Sequence, residues 1–237
     1  MTLRRVRSDE LMDRLDAEES ELGRSLEDLE RVNRWLGGRR SAVRLTLELA
    51  ERVGAEPVTV LDIATGAADI PIRLLAEAGR RGVEVRVTAT DLHPTTLAYA
   101  ERATAGQPFI IVRKANALDL PFGDGEFDLV TMNTALHHFE RPDAARVLRE
   151  MARVARRGVV VTDLSRSGLA LLGARVLAAT AWRRHPITRH DGPASVRAAF
   201  TPAELADLAS EVFVGRWRVR RHPVFRLSLV LDRTEQR

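Results

Sequence analysis

Short apolar runs alternate along this chain with longer stretches in which apolar residues recur every three or four positions. From residue 58 onward the alternation is regular. Runs rich in β-branched residues near 58–63, 84–90, 109–112, 127–132 and 158–163 have strand length. Between and after them, segments near 69–79, 94–104, 142–155, 168–183 and 201–210 have helical spacing. Strands and helices alternating at this size predict βαβ units and a parallel sheet. Thr201-Pro-Ala-Glu204 is a capping box with proline in the first turn, which fixes the start of the last helix. Beyond it, the runs beginning at Trp217 and Phe225, parted by His222-Pro223, predict a closing hairpin.

Two regions stand outside this repeat. Residues 8–32 are highly charged, with Leu11, Leu15, Leu22, Leu26 and Leu29 at helical spacing, which predicts one or two amphipathic helices. Trp35-Leu36-Gly37-Gly38 breaks that pattern, and a second helix follows from Arg40 to Arg52, closed by Gly54. The chain thus divides into an N-terminal helical cap, 1–54, and a main domain, 55–237. The cap covers either a ligand or only a sheet edge. The second region, 164–200, begins with an apolar helix, Leu169 to Trp182, and continues through the polar stretch Arg183 to Phe200. It follows the fifth strand, where open α/β sheets place ligands, so it reads as a substrate lid; the plainer alternative is an edge helix with a surface loop.

The stretch from Val58 to Pro71 combines strand, small-residue turn and helix start. Residues 64–68 contain nothing larger than threonine, so a ligand can approach the backbone. Asp69 reads as the N-cap of the next helix, and Pro71 suits its first turn. Asp62, Ala64, Gly66 and Ala68 fall on a D-x-G-x-G-x-G pattern, with alanine at the first and third glycines. Asp91 ends the next apolar run; the block from Ala115 to Val130, Ala135-Leu-His-His-Phe139 and the segment from Leu148 to Val154 follow in order. This ordered set, spanning roughly 56–165, resembles the class I S-adenosylmethionine (SAM) methyltransferases, in the broad group that includes the ubiquinone and menaquinone enzymes.

The resemblance implies a Rossmann-like, mostly parallel seven-stranded sheet with an antiparallel last strand, and SAM as cofactor. It also implies that Asp62, Ala64, Thr65, Gly66 and Ala68 cradle the amino-acid end, and that Asp91 holds the ribose diol through its two acceptor oxygens. Leu92 and Ala117 flank the adenine, Asn116 stands where the family usually has aspartate, and Asn133 faces the cleft. His137 and His138 follow the fourth strand; one of the pair is expected to face the acceptor as a general base, because a hydroxyl acceptor must lose a proton. His185 and His190 compete for that role from the insertion, where Arg189 and Arg197 are placed to hold an anionic substrate. The two histidines at 137 and 138 are adjacent and no acidic cluster shares their spacing, so no metal site is expected.

Composition narrows the reading. There is no cysteine, which excludes a disulfide framework, a thiolate metal site and a cysteine nucleophile. Net charge is +4, but the 37 basic residues, all arginine except Lys114, are interspersed with 33 acidic ones. That distribution makes nucleic acid an unlikely partner. The polar beginning is unlike a secretory signal and no apolar stretch is long enough to span a bilayer, so a cytoplasmic location is expected. The expected function is methyl transfer to a small lipophilic acceptor, at the oxygen of a phenolic, quinone or polyketide-type metabolite. An RNA or protein methyltransferase and a non-catalytic SAM-fold protein are the alternatives. Oligomeric state is not readable.

Overall fold

A computed structural model describes residues 3–13, 19–35, 37–54 and 56–235. Seven strands form one sheet: β1 (Val58–Ile63), β2 (Val85–Asp91), β3 (Ile110–Lys114), β4 (Phe127–Asn133), β5 (Ala155–Leu164), β6 (Arg216–His222) and β7 (Arg226–Asp232). Their spatial order is β3-β2-β1-β4-β5-β7-β6. The first five are parallel, and β7 runs antiparallel between β5 and β6. This is the expected Rossmann-like sheet. Chain order reverses between β1 and β4, the switch point at which such sheets open a crevice.

Helices cover both faces. On one side α2 (Gly38–Val53) and α3 (Asp69–Arg80) pack on Val58, Val60, Val87 and Val230. On the other, α5 (Arg141–Val154) and α8 (Pro202–Val212) cover Leu61, Val130, Val159 and Leu229. Alternate residues of each strand therefore feed two separate cores, which is why the central strands read as continuous apolar runs. α4 (Pro94–Thr104) completes the repeat, and the capping box at Thr201 is present, Thr201 Oγ1 and Glu204 exchanging bonds with each other's amides.

The remaining helices gather over the carboxyl ends of the strands. α1 (Glu19–Trp35) lays Leu22 and Leu26 against Ala67 and Tyr99. The insertion forms two helices, α6 (Gly168–Ala179) and α7 (Pro186–Ala198), the second in a stretch that reads as loop from sequence. The Gly192-Pro193 step inside α7 masks its periodicity, yet Pro186 opens it at a favourable first-turn position. Residues 3–13 run along α7: Val6 N–H donates to the Arg197 carbonyl (3.1 Å), and Asp191 accepts from the amides of Leu11 (2.9 Å) and Met12 (3.0 Å). Leu15 of the expected first amphipathic segment lies outside the described residues. No described helix is long and apolar enough to cross a membrane.

Candidate active site

The strand ends, α1, α6, α7 and residues 7–12 enclose a cavity of about 730 Å³. Its floor is the loop after β1. Ala64, Gly66 and Ala68 all take left-handed backbone, with φ of 54°, 57° and 57°. Both alanines thus hold the conformation that glycine adopts freely and that a methyl group disfavours. The turn is stabilised from the next strand: Thr65 N–H donates to the Thr90 carbonyl (2.9 Å) and Gly66 N–H to Asp91 Oδ2 (3.1 Å).

Asp91 therefore does more than border the cavity. Its Oδ1 also accepts from Leu92 N (2.8 Å) and His93 N (3.1 Å), so the carboxylate fixes both loops while one edge still faces the cavity. Burial raises its pKa, and those amide bonds oppose the shift. Asp62 lies beneath the floor, accepting from Thr131 Oγ1 (2.6 Å) and Asn133 Nδ2 (3.1 Å). Burial pushes it to about 6, against the pull of those bonds. Asn133 is held in turn by Thr162 Oγ1 (2.8 Å). Leu92, Asn116 and Ala117 line the far end; Asn116 Oδ1 accepts from Leu118 N (3.0 Å).

Asp69 corrects the sequence reading. The N-cap of α3 is Ala68, and Asp69 is the first helical residue and makes no cap bond. Its Oδ2 is buried with no hydrogen-bond partner, and the residue lines the cavity. Arg39 Nη1 approaches only to 4.0 Å. Burial, with Glu30 nearby, pushes this carboxyl up to about 7.

At the other end of the cavity the two histidines after β4 sit ring to ring, with centroids 4.4 Å apart, and both line the space. His137 is 1% exposed. Its Nδ1 bonds Asp163 Oδ1 (2.7 Å) at the end of β5, while Asp163 Oδ2 accepts from the His137 amide (2.9 Å). Burial alone would raise Asp163, but the charge and hydrogen bond of His137 bring it below the ordinary carboxylate range. An acceptor on Nδ1 fixes the tautomer and leaves Nε2 for the cavity. Facing that side is Glu10, with Oε1 3.6 Å from His137 Nε2 and Oε2 3.8 Å from His138 Nε2. Ser195 Oγ donates to Glu10 (2.8 Å). Sequence reasoning missed Asp163 and Glu10. Asp163 carried a signal, a carboxylate ending an apolar strand as Asp91 does; Glu10 carried none. These ligand atoms of Glu10, His137 and His138 lie within 4.8 Å of one another, close enough to share a cation, so a carboxylate does join the pair from far along the chain.

The insertion contributes different residues from those expected. His185, Arg189, His190 and Arg197 do not line the main cavity. His185 Nδ1 bonds Asp28 of α1, His190 Nδ1 bonds Asp191 (2.7 Å), and Arg189 and Arg197 are exposed. The helical turn decides this: Thr188, Asp191, Gly192 and Ser195 form the inward face, and 189, 190 and 197 point away. Trp182 and Leu177 add an apolar wall.

The fit to SAM rests on this geometry: a floor without bulky side chains, an acidic edge at Asp91, an apolar slot at Leu92 and Ala117, and at Asp69 a buried carboxylate oxygen that no hydrogen bond satisfies. Residues 61–162 match the methyltransferase domain family. Demethylmenaquinone methyltransferase of Bacillus licheniformis is 35% identical over 119 residues, 50% of this chain and 49% of that protein. The 2-phytyl-1,4-naphtoquinone methyltransferase of Trichormus variabilis is 36% identical over 130 residues, 53% and 54% of the two chains. The chain thus spans about half the length of these curated relatives. Among solved structures, human N-acetylserotonin methyltransferase in complex with SAM superposes with a TM-score of 0.69 at 14% identity, covering 96% of this chain and 60% of that one. Residues 61–162 thus match a methyltransferase domain, and the sheet order and the loop after β1 support a class I SAM-dependent methyltransferase fold around it.

Proposed function

We propose that the protein transfers a methyl group from SAM to a hydroxyl oxygen of a small lipophilic acceptor of phenolic or quinol type. The observation that carries this reading is His137, which lines the cavity with Nδ1 held by Asp163 and Nε2 turned toward Glu10. The quinone-directed names of the relatives support the acceptor class. The apolar wall from α6 and Trp182 supports it too, and 164–200 acts as a lid with 1–54 as the cap. SAM, when bound, supplies an electrophilic methyl on a sulfonium.

The residues of this chain then divide the work. Asp91 takes the ribose hydroxyls, Leu92 and Ala117 sandwich the base, and Asn116 meets its edge. Asp62, Ala64, Thr65, Gly66, Ala68 and Asn133 shape the bed of the amino-acid end, and Asp69 receives its ammonium. His137 Nε2 takes the acceptor's proton as the oxygen–carbon bond forms and the sulfur–carbon bond breaks. His138 borders the acceptor, and Asp163 orients His137. Positioning supplies much of the rate, and the base a further ~10²–10⁴-fold. The enzyme works in the cytoplasm.

The test is a panel of phenols, quinols and resorcinol-type compounds incubated with methyl-labelled SAM and read by product mass. Oxygen-methylated product formed by the wild type and lost in His137→Gln supports the proposal. Product methylated only at carbon or nitrogen refutes the assignment of the oxygen. A second reading has one observation behind it: Glu10, His137 and His138 together could hold a divalent cation that polarises the acceptor oxygen. Chelation followed by readdition of metal separates the two.

A further inference from the structure

Arg226 opens β7 and is 2% exposed, yet among the described residues no carboxylate is bonded to it. Nη1 donates to Thr134 Oγ1 (3.1 Å) and Nη2 to Asn33 Oδ1 (3.2 Å), both neutral acceptors. Nε is buried with no hydrogen-bond partner. Asp163 acts on the guanidinium through space, but its oxygens are engaged by the His137 ring and the amides of His137 and Leu164. A buried cation in this position is costly unless an anion completes it.

A second feature aggravates the imbalance. The N-terminus of α2 abuts the same group: a Cβ on Gly38 would stand 3.0 Å from Arg226 Cζ. The cap, Gly37, offers no side chain, and the first turn of α2 has no acidic residue. The positive end of a helix thus meets a guanidinium, with nothing negative bonded between them. Gly38 is what allows the approach. Arg226, Asn33 and Thr134 all line the cavity.

We infer that Arg226, with Thr134 and Asn33, forms a subsite for a carboxylate or equivalent anionic oxygen carried by a ligand in the cavity. Two ligands could bring that group: the cofactor, through its amino-acid carboxylate, or an acidic acceptor, through a ring carboxylate. The inference rests on the proposed occupancy of the cavity by both molecules. Arg226 is a binding residue for the anion, and it takes the place that the expected Arg189 and Arg197, both on the outer surface, do not fill.

The test uses matched ligand pairs on the full chain, by calorimetry. One pair is S-adenosylhomocysteine and its analogue lacking the carboxylate. The other is salicylate and phenol, each added to the S-adenosylhomocysteine complex. At least one pair is expected to favour the carboxylate-bearing member by about tenfold or more, as strong charge-assisted bonds do. That preference is expected to collapse in Arg226→Met, with Arg226→Lys restoring part of it. Preference in the first pair assigns the anion to the cofactor, and in the second to the acceptor. No such preference in either wild-type pair overturns the inference, as does a preference that survives in folded Arg226→Met. The wild-type comparison decides alone should the variant not fold. Failure of wild type to bind S-adenosylhomocysteine at all would instead count against the functional proposal.

Discussion

The two ends of the cavity are walled by different kinds of chain. At the cofactor end the contacts join neighbouring strands of one βαβ unit, as when Gly66 N–H meets Asp91. Backbone amides and strand-end carboxylates do most of the holding there. At the end proposed for the acceptor the contacts join remote segments by side chains: Glu10 to His137, and Asp191 to Leu11. The first end is fixed by the sheet itself, and a common cofactor needs no more. The second is assembled from pieces that can change independently, which is what a varied acceptor requires.

Removing the base should separate the two ends most sharply. His137→Gln is expected to lower turnover by about 10²–10⁴-fold while S-adenosylhomocysteine affinity stays within about twofold. Near-normal turnover in a folded His137→Gln variant would mean that His137 is not the base. Asp91→Ala works on the opposite end. Cofactor affinity should fall by at least the roughly 1.5–3 kcal/mol of a charged hydrogen bond, since the loop loses its anchor as well.

Asp69 makes a prediction in which stability and binding move oppositely. Its folded pKa of about 7 lies well above the ordinary carboxylate range, so the folded state holds the proton more tightly. The contribution of this group to stability is therefore complete below about 4 and is lost as pH rises toward 7. Asp69→Asn should stabilise the ligand-free protein at neutral pH and flatten that decline, while weakening S-adenosylhomocysteine binding. Denaturant titrations across pH, paired with calorimetry, read both. The smallest effect is expected from Ala64→Gly and Ala68→Gly. Relief of left-handed strain is offset by the added freedom of the unfolded chain, and cofactor affinity should change by less than tenfold. A large gain would show that the alanines hold the loop away from its binding shape.

Legibility in the sequence follows the same division. β1, its loop and α3 are contiguous, so the stretch that carries the family resemblance could be read in one piece, and the hairpin was visible in the runs around His222-Pro223. Asp69 was misread because aspartate after small residues is the ordinary helix cap, whereas here the left-handed Ala68 takes that place. α7 was hidden by Gly192-Pro193, and with it the inward face that replaces 189, 190 and 197. Arg226 had a faint signal, a charge sharing the alternate positions of Ser228 and Val230 in a strand whose neighbours are apolar. Glu10 had none, because its partners lie more than a hundred residues away.

That separation bears on how the molecule is made. Asp191 holds the amides of Leu11 and Met12 across 180 and 179 positions of chain. During synthesis the segment around Glu10 emerges well before α7 and must wait for it until α7 has left the ribosome. The sheet strands β1 to β4 can pair before then. The loops at the ends of those strands can thus take shape before the contacts of Asp191 with Leu11 and Met12 close the other end of the cavity.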